Sequence, residues 1–304
     1  MDCHCWAMVM RSMTFAEQRA LMGNDREILT KIIKSTKIKT MEEFNMIVEM
    51  RLHLTTLDCS GVIGVHDFSV FDNLTSLNCS GCGRTLDFST MRHLTTLDCS
   101  LSDAKIELSM MPHLTSLNCS RACNDVNLYD APNLTELKCD GCFSMTGLIY
   151  LKKLRVLSCD CCTNLFGIET MVNLEKLHCV MCWMIEDVSK LTKLTELCCR
   201  NCPNIRGIEN LVNLRTLDCS ECNHTKIDTL VKLRTLVCEK CYSAYDVSHL
   251  VELRILCCRN CKNICGVRNL KKLINFDCRE CEKVSDDDIK FLTERQTELM
   301  SKRK

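Results

Sequence analysis

A cysteine returns along this chain at a fixed interval of twenty residues: Cys59, Cys79, Cys99, Cys119, Cys139, Cys159, Cys179, Cys199, Cys219, Cys238, Cys258 and Cys278. Each closes the frame Leu-x-x-Leu-x-Cys, from Leu54, Leu57 and Cys59 to the last copy, Leu273, Phe276 and Cys278. The interval shortens once, by one residue, before Leu233. A unit this short cannot bury its own apolar face, so it must stack on its neighbours, and a fixed period near twenty predicts a solenoid.

The repeat beginning at Leu194 shows how one turn is built. Leu194, Leu197, Cys199, Cys202, Ile205, Ile208 and Leu211 are apolar or small, and the residues between them are mostly polar. Around Leu197 and Cys199 the alternation has period two, which predicts a short strand with one buried face.

This frame resembles the leucine-rich repeat, and the resemblance covers roughly three quarters of the chain. It departs from the family pattern in two ways. Cysteine replaces the third strand leucine in every copy, and the next apolar residue follows the second cysteine in a C-x-x-I spacing, as in Cys202 to Ile205 and Cys261 to Ile264. The short cysteine-rich unit looks similar to leucine-rich repeat proteins of giant DNA viruses such as mimivirus. The resemblance implies an α/β solenoid: a horseshoe or arc with a parallel concave sheet of about twelve short strands. Twenty residues leave little room for a helix on the return path, so short 3₁₀ or irregular segments are expected there.

The flanks read as helical caps over the exposed end repeats. We place a cap at residues 1–50, the solenoid at 51–284, and a capping helix with a basic tail at 285–304. Thr14 to Glu17 and Thr40 to Glu43 have capping-box spacing, and Asn24 or Asp25 can open a further helix carrying Ile28, Leu29, Ile32 and Ile33. Ser285 followed by Asp286, Asp287 and Asp288 opens the last helix, with Ile289, Leu292 and Leu299 expected to face inward and Lys302, Arg303 and Lys304 suiting its end.

Nine repeats carry a second cysteine three residues after the first, for example Cys139 with Cys142 and Cys159 with Cys162, which matches the spacing of a four-cysteine zinc site. The column context favours packing. The first column is complete, whereas the second is replaced by Val62, Ser102 and Ala122, all small or apolar. Paired metal ligands would be lost together; reduced core thiols vary in this way. No metal or cofactor is therefore assigned. Cys198 and Cys257 precede ladder cysteines and are expected on the solvent side of the strands as candidates for adventitious oxidation, and Cys3, His4 and Cys5 as terminal residues.

Lysine plus arginine and aspartate plus glutamate both number 39, so overall charge gives no reason to expect a nucleic-acid or membrane partner. The N-terminus lacks a signal-peptide pattern, which predicts an intracellular, cytoplasmic protein, in the host cytoplasm if the source is viral. His53, His93 and His113 recur at one turn position, and no arrangement of nucleophile, base and orienting group is visible, so the chain reads as non-catalytic. The preferred reading is a protein–protein interaction scaffold. The alternative is a substrate-recognition subunit of a ubiquitin ligase, because residues 25–33 are faintly similar to an F-box. A thiol-based metal or redox protein is the third reading.

Side chains flanking the second leucine should face solvent. In the early repeats they are small and polar, as in Thr56, Asp58 and Ser60, whereas later ones are charged. His178, Arg200, Arg215, Arg234, Arg254, Arg259 and Arg279 are the candidate partner-binding residues, suited to an acidic protein surface. Phe143, Trp183 and Tyr242 share the position after the second cysteine and are expected as partly buried turn residues.

Overall fold

The computed structural model describes residues 37–50, 54–65, 67–83, 86–102, 106–122, 126–222, 226–243 and 245–301, together with Glu17 and Ala20, both helical. The F-box-like segment 25–33, the Cys3 to Cys5 cluster, His53 and residues 302–304 lie outside the described residues. The chain divides into two compact units, Met1–Leu151 and Lys152–Lys304.

In the first unit, helix α1 (Met41–Met50) precedes strands β1 (Thr56–Asp58), β2 (Ser76–Asn78), β3 (Thr96–Asp98), β4 (Ser116–Asn118) and β6 (Glu136–Lys138), which pair in parallel, each with the next. The return path contributes a small parallel pair, β5 (Val126–Asn127) with β7 (Met145–Thr146). In the second unit the same strand position recurs as β8 (Val156–Ser158), β9 (Lys176–His178), β10 (Glu196–Cys198), β11 (Thr216–Asp218), β12 (Thr235–Val237), β14 (Ile255–Cys257) and β16 (Asn275–Asp277). Its return path pairs β13 (Tyr245–Asp246) with β15 (Ile264–Cys265), and helix α2 (Asp286–Ser301) closes the described chain.

Register follows the repeat. Leu57 lies opposite Leu77 and Leu197 opposite Leu217, so every inward leucine meets its counterpart one turn away. The shortened repeat keeps this register, with Leu217 opposite Leu236. Its missing residue is therefore taken from the return path. The leucines and both cysteine columns are buried, most of them completely. Return segments turn through short 3₁₀ helices such as Leu148–Tyr150, Ile168–Thr170 and Ile208–Asn210, as twenty residues require.

The step out of each strand is a tight turn. The N–H of the second-column residue donates to the first-column carbonyl three residues earlier, as from Cys202 to Cys199 at 3.1 Å. The residue just before the second column then has positive φ in repeat after repeat, the pattern of a type II turn. Glycine meets this demand at Gly61, Gly81 and Gly141, but Leu101, Arg121, Cys161, Met181, Asn201, Glu221, Lys240, Asn260 and Glu280 occupy the same position. What holds them is a bond to the following repeat: Leu101 N donates to Ser120 O at 2.9 Å and Met181 N to Arg200 O at 2.9 Å. The stacking overrides the local preference.

At α1, Thr40 Oγ1 accepts from Glu43 N at 3.2 Å while Glu43 Oε2 accepts from Lys39 N at 2.8 Å, as the capping-box spacing predicted. Phe44 meets Phe68 and Phe71 edge-on, with ring centroids 6.1 and 6.0 Å apart. At α2, Ser285 Oγ accepts from Asp288 N at 3.2 Å. Leu292 is buried as expected and Gln296 Nε2 donates to Ile274 O at 2.6 Å, but Ile289 does not face inward. The stripe that covers the last strand is narrow, and Ile289 sits one turn before its buried residue, on the rim; the side chain of Leu299 lies outside the described residues.

Two glycines separate conformational strain from collision. Gly61 (φ 81°) has open space where a Cβ would stand, whereas a Cβ at Gly207 (φ 83°) would come within 2.7 Å of Ser189. Gly61→Ala should therefore cost about 1–2 kcal/mol from backbone strain alone. Gly207→Ala should cost clearly more, because Ser189 backbone must also move. Denaturant midpoints of the two variants test this, and equal losses would refute it.

Candidate partner-binding surface

Within the second unit, the middle residue of each strand points into the core and its neighbours face solvent, which sets the sequence-predicted cations on one side. They fall into two kinds. Those on or after the strands are held by carboxylates of the same or an adjacent repeat. His178 Nε2 lies 3.0 Å from Glu196 Oε1, and Lys176 Nζ reaches Glu196 Oε2 at 3.0 Å. Burial opposes ionisation of Glu196, but the bonds from Lys176 and His178 outweigh it and hold its pKa below the usual value. Arg200 and Lys240 share Glu221 at 3.3 and 3.6 Å. Arg259 and Arg279 share Asp277 at 2.8 and 2.7 Å.

Arg215, Arg234 and Arg254 are of the other kind. They occupy the strand entrance in three successive repeats, all exposed, with Arg234 N donating to Arg215 O and Arg254 N to Arg234 O, both at 2.8 Å. Among the described residues no carboxylate lies within ion-pair distance of any of them. Glu252 acts on part of the column from beyond ion-pair distance. Its carboxyl is held low mainly by the bond from Lys272, with weaker attraction from Arg234 and Arg254.

The first unit presents a different face. Asp58 Oδ1 accepts from the N–H and hydroxyl of Ser60 at 3.0 and 2.7 Å, and Asn118 Nδ2 donates to Asp98 Oδ2 at 2.9 Å. These polar groups satisfy one another. Beside them the Thr75, Thr95, Thr115 and Thr135 hydroxyls each donate to a carbonyl twenty residues earlier, at 3.0–3.1 Å.

The cysteines face the other way, into the core, and carry hydrogen bonds. Cys82, Cys142, Cys182, Cys202 and Cys222 each donate to the first-column carbonyl of the preceding repeat, at 2.9–3.1 Å. First-column thiols make longer contacts in the opposite direction, such as Cys159 Sγ to His178 O at 3.3 Å. The two columns thus tie each repeat to both neighbours. All described cysteines are free thiols, and no group of three or more His, Cys, Asp or Glu among the described residues is arranged to hold a metal ion.

Cys198 and Cys257 do face the solvent side, half-buried. Burial and then the Asp218 charge push the Cys198 thiol up to about 12, and burial followed by the Glu239 and Asp277 charges raises that of Cys257, so neither is readily a thiolate. The exposed thiols are instead Cys161 and Cys265. Cys161 stands in the column of Gly61, Gly81 and Gly141, and that alignment was the available signal that it lies on an outer turn. Phe143, Trp183 and Tyr242 are not partly buried but 66%, 59% and 58% exposed, because the turn they follow spends its inward position on the second cysteine. His93 and His113 are exposed turn residues, as expected. No described helix is long and apolar enough to cross a membrane.

No family model matches the chain, and no curated protein matches it by sequence. Solved structures do. The functional domain of InlJ from Listeria monocytogenes, described as including a cysteine ladder, superposes with a TM-score of 0.53 at 21% identity, over 79% of this chain and 64% of that domain. The match thus spans slightly less than two thirds of the InlJ domain. A leucine-rich repeat protein of Leptospira interrogans gives a TM-score of 0.50 at 15% identity, over 83% of this chain and 91% of that one. At these identities the likeness shows the fold, a leucine-rich-repeat solenoid with parallel strands.

Asp277 gives this surface a pH signature. Bonds from Arg279 and then Arg259 hold its carboxyl far below the usual carboxylate pKa. A depressed native pKa stabilises the fold above the ordinary carboxylate value, and that contribution is lost as pH falls through the native pKa. Asp277→Asn should therefore lower Tm at neutral pH, with the gap to wild type narrowing in acid. A gap that stays constant across a series of thermal melts from neutral to acid pH would contradict this assignment.

Proposed function

We propose that the protein is a non-catalytic interaction scaffold whose second unit binds an acidic protein segment along Arg215, Arg234 and Arg254, flanked by His178, Arg200, Arg259 and Arg279. One observation carries the reading: three exposed guanidiniums stand in consecutive repeats at the strand spacing of about 4.8 Å, with no carboxylate within ion-pair distance among the described residues. A partner that brings carboxylates to this column relieves mutual repulsion, and guanidinium groups bind carboxylates in a two-pronged geometry. The flanking cations already have carboxylates of their own. Their role is to set orientation at the border, where charge affects association rate more than affinity.

An intracellular, cytoplasmic location belongs to the same reading, since a ladder of free thiols suits a reducing compartment. The likeness to giant-virus proteins rests on the short repeat and the C-x-x-I spacing alone. The ubiquitin-ligase alternative rests on residues 25–33 and gains no support from the described residues.

The test is binding of a labelled oligoglutamate peptide to the full chain, with single-stranded RNA and oligolysine as comparators. Changing Arg215, Arg234 and Arg254 together to glutamate should weaken peptide binding by about tenfold or more, and raising salt should weaken the wild type in the same way. Preference for RNA, or peptide binding that survives the charge reversal, overturns the reading.

A further inference from the structure

The thiol ladder is chemically uneven, and its C-terminal end differs from its interior. At β14 and β16, Cys258 Sγ lies 3.3 Å from Cys278 Sγ, and Cys281 Sγ lies 3.8 Å from Cys258 Sγ. Cys258 is fully buried, but Cys278 and Cys281 are 5% and 9% exposed, where the ladder cysteines of the preceding repeats are at 0–2%. Cys278 also lines an open cavity of about 490 Å³ bounded by Cys257, Phe276, Asp277, Arg279 and Ile289. Phe276 stands there in place of the usual leucine, beside Ile289 on the rim of the cap. This opening is the side from which a small oxidant would approach Cys278.

Mechanics also single out this end. Cys258 and Cys278 follow directly on the in-register pair Cys257 and Asp277, so their Cα atoms stand one strand spacing apart, within disulfide range. Parallel side chains keep the Cβ atoms farther apart than the roughly 3.8 Å a bridge prefers, and closing them requires one strand to shift. An interior strand is held by main-chain bonds on both sides. β16 is the last strand of its sheet and is bonded to β14 alone, with only the Gln296 side chain reaching Ile274 O from α2. As an edge strand it is held on one side, which leaves it freer to shift than the interior strands of the second unit.

We infer that Cys278 is a peroxide-reactive modification site that closes a disulfide with Cys258. Cys278 Sγ attacks the terminal oxygen of a hydroperoxide, the O–O bond breaks, and the thiol proton leaves with the departing oxygen as an alcohol, or as water from hydrogen peroxide. Cys278 is then a sulfenic acid. Cys258 Sγ, whose thiol already donates to Cys278 Sγ at 3.3 Å, displaces hydroxide from the sulfenic sulfur and gives up its proton. Hydroxide takes that proton and leaves as water. Two thiols lose two electrons in total, and one hydroperoxide gains them.

The experiment treats the folded full chain with about one equivalent of hydrogen peroxide, blocks remaining thiols, and maps tryptic peptides by mass spectrometry. Peptides 255–259 and 273–279 should appear linked and lighter by two hydrogens. Cys257→Ser should leave the link intact, and Cys278→Ser should abolish it. Cys257→Ser serves a second purpose, since it keeps the test decisive if the Cys278 variant fails to fold. Oxidation confined to the exposed Cys161 and Cys265, or loss of the link in Cys257→Ser, overturns the inference.

Discussion

Everything in this molecule depends on one constraint: a twenty-residue turn cannot cover its own apolar side chains. Leu197 is fully buried because Leu177 and Leu217 lie in register on either side of it. Each such leucine contributes about 1.5–3 kcal/mol only when both neighbours are present. Stability is therefore a sum over interfaces between repeats, and every local feature is judged by whether it keeps the register. This explains why one deleted residue is lost from the return path before Leu233, where slack exists, and not from a strand, where a one-residue slip would turn the leucines outward.

The same constraint accounts for the cysteines. A first-column residue sits where the chain leaves the strand, with another strand about 4.8 Å away on each side, and a small apolar side chain fits. The second-column thiol then has an acceptor waiting, the carbonyl of the preceding repeat, which the turn would otherwise leave without a side-chain donor. Val62 and Ala122 show that the position tolerates losing this bond when its volume remains filled. The link is therefore supplementary to the main-chain ladder. Reactive chemistry is suppressed for the same reason, since desolvation raises the thiol pKa in the interior, as at Cys79 and Cys99.

Periodicity carried most of the fold. Strand position, register, both burial columns, the capping box at Thr40 and the helix start at Ser285 could be read because each depends on side-chain type at fixed spacing. The left-handed turn column was harder. Gly61, Gly81 and Gly141 marked it, but Leu101 and Met181 hid it, because a bond to the next repeat compels residues that would not choose positive φ. The exposed cations could be listed from sequence but not sorted. Whether Arg200 or Arg215 has a carboxylate depends on Glu221 lying one repeat along at the turn, and side-chain reach across repeats has no signature in a linear pattern. Ile289 was misplaced for a related reason: helix periodicity finds an apolar stripe but not how much of it the end of a solenoid can cover.

A ladder makes its interior inert and leaves its ends exceptional, and in the second unit this joins chemistry to binding. β16 carries Asp277, which holds both Arg259 and Arg279, and the same strand runs directly into Cys278. Any shift of β16 that brings Cys278 toward Cys258 must also move Asp277 relative to Arg259, which stands one repeat earlier on the neighbouring chain segment. The two guanidiniums would then be redistributed between Asp277 and solvent, at the border of the column Arg215, Arg234 and Arg254. Interior repeats cannot transmit such a change, because each is clamped by thiol and main-chain bonds on both faces. Within the second unit, a thiol at the end of the ladder is thus where oxidation of the core can alter the charge pattern offered to a partner without dismantling the stack that displays it.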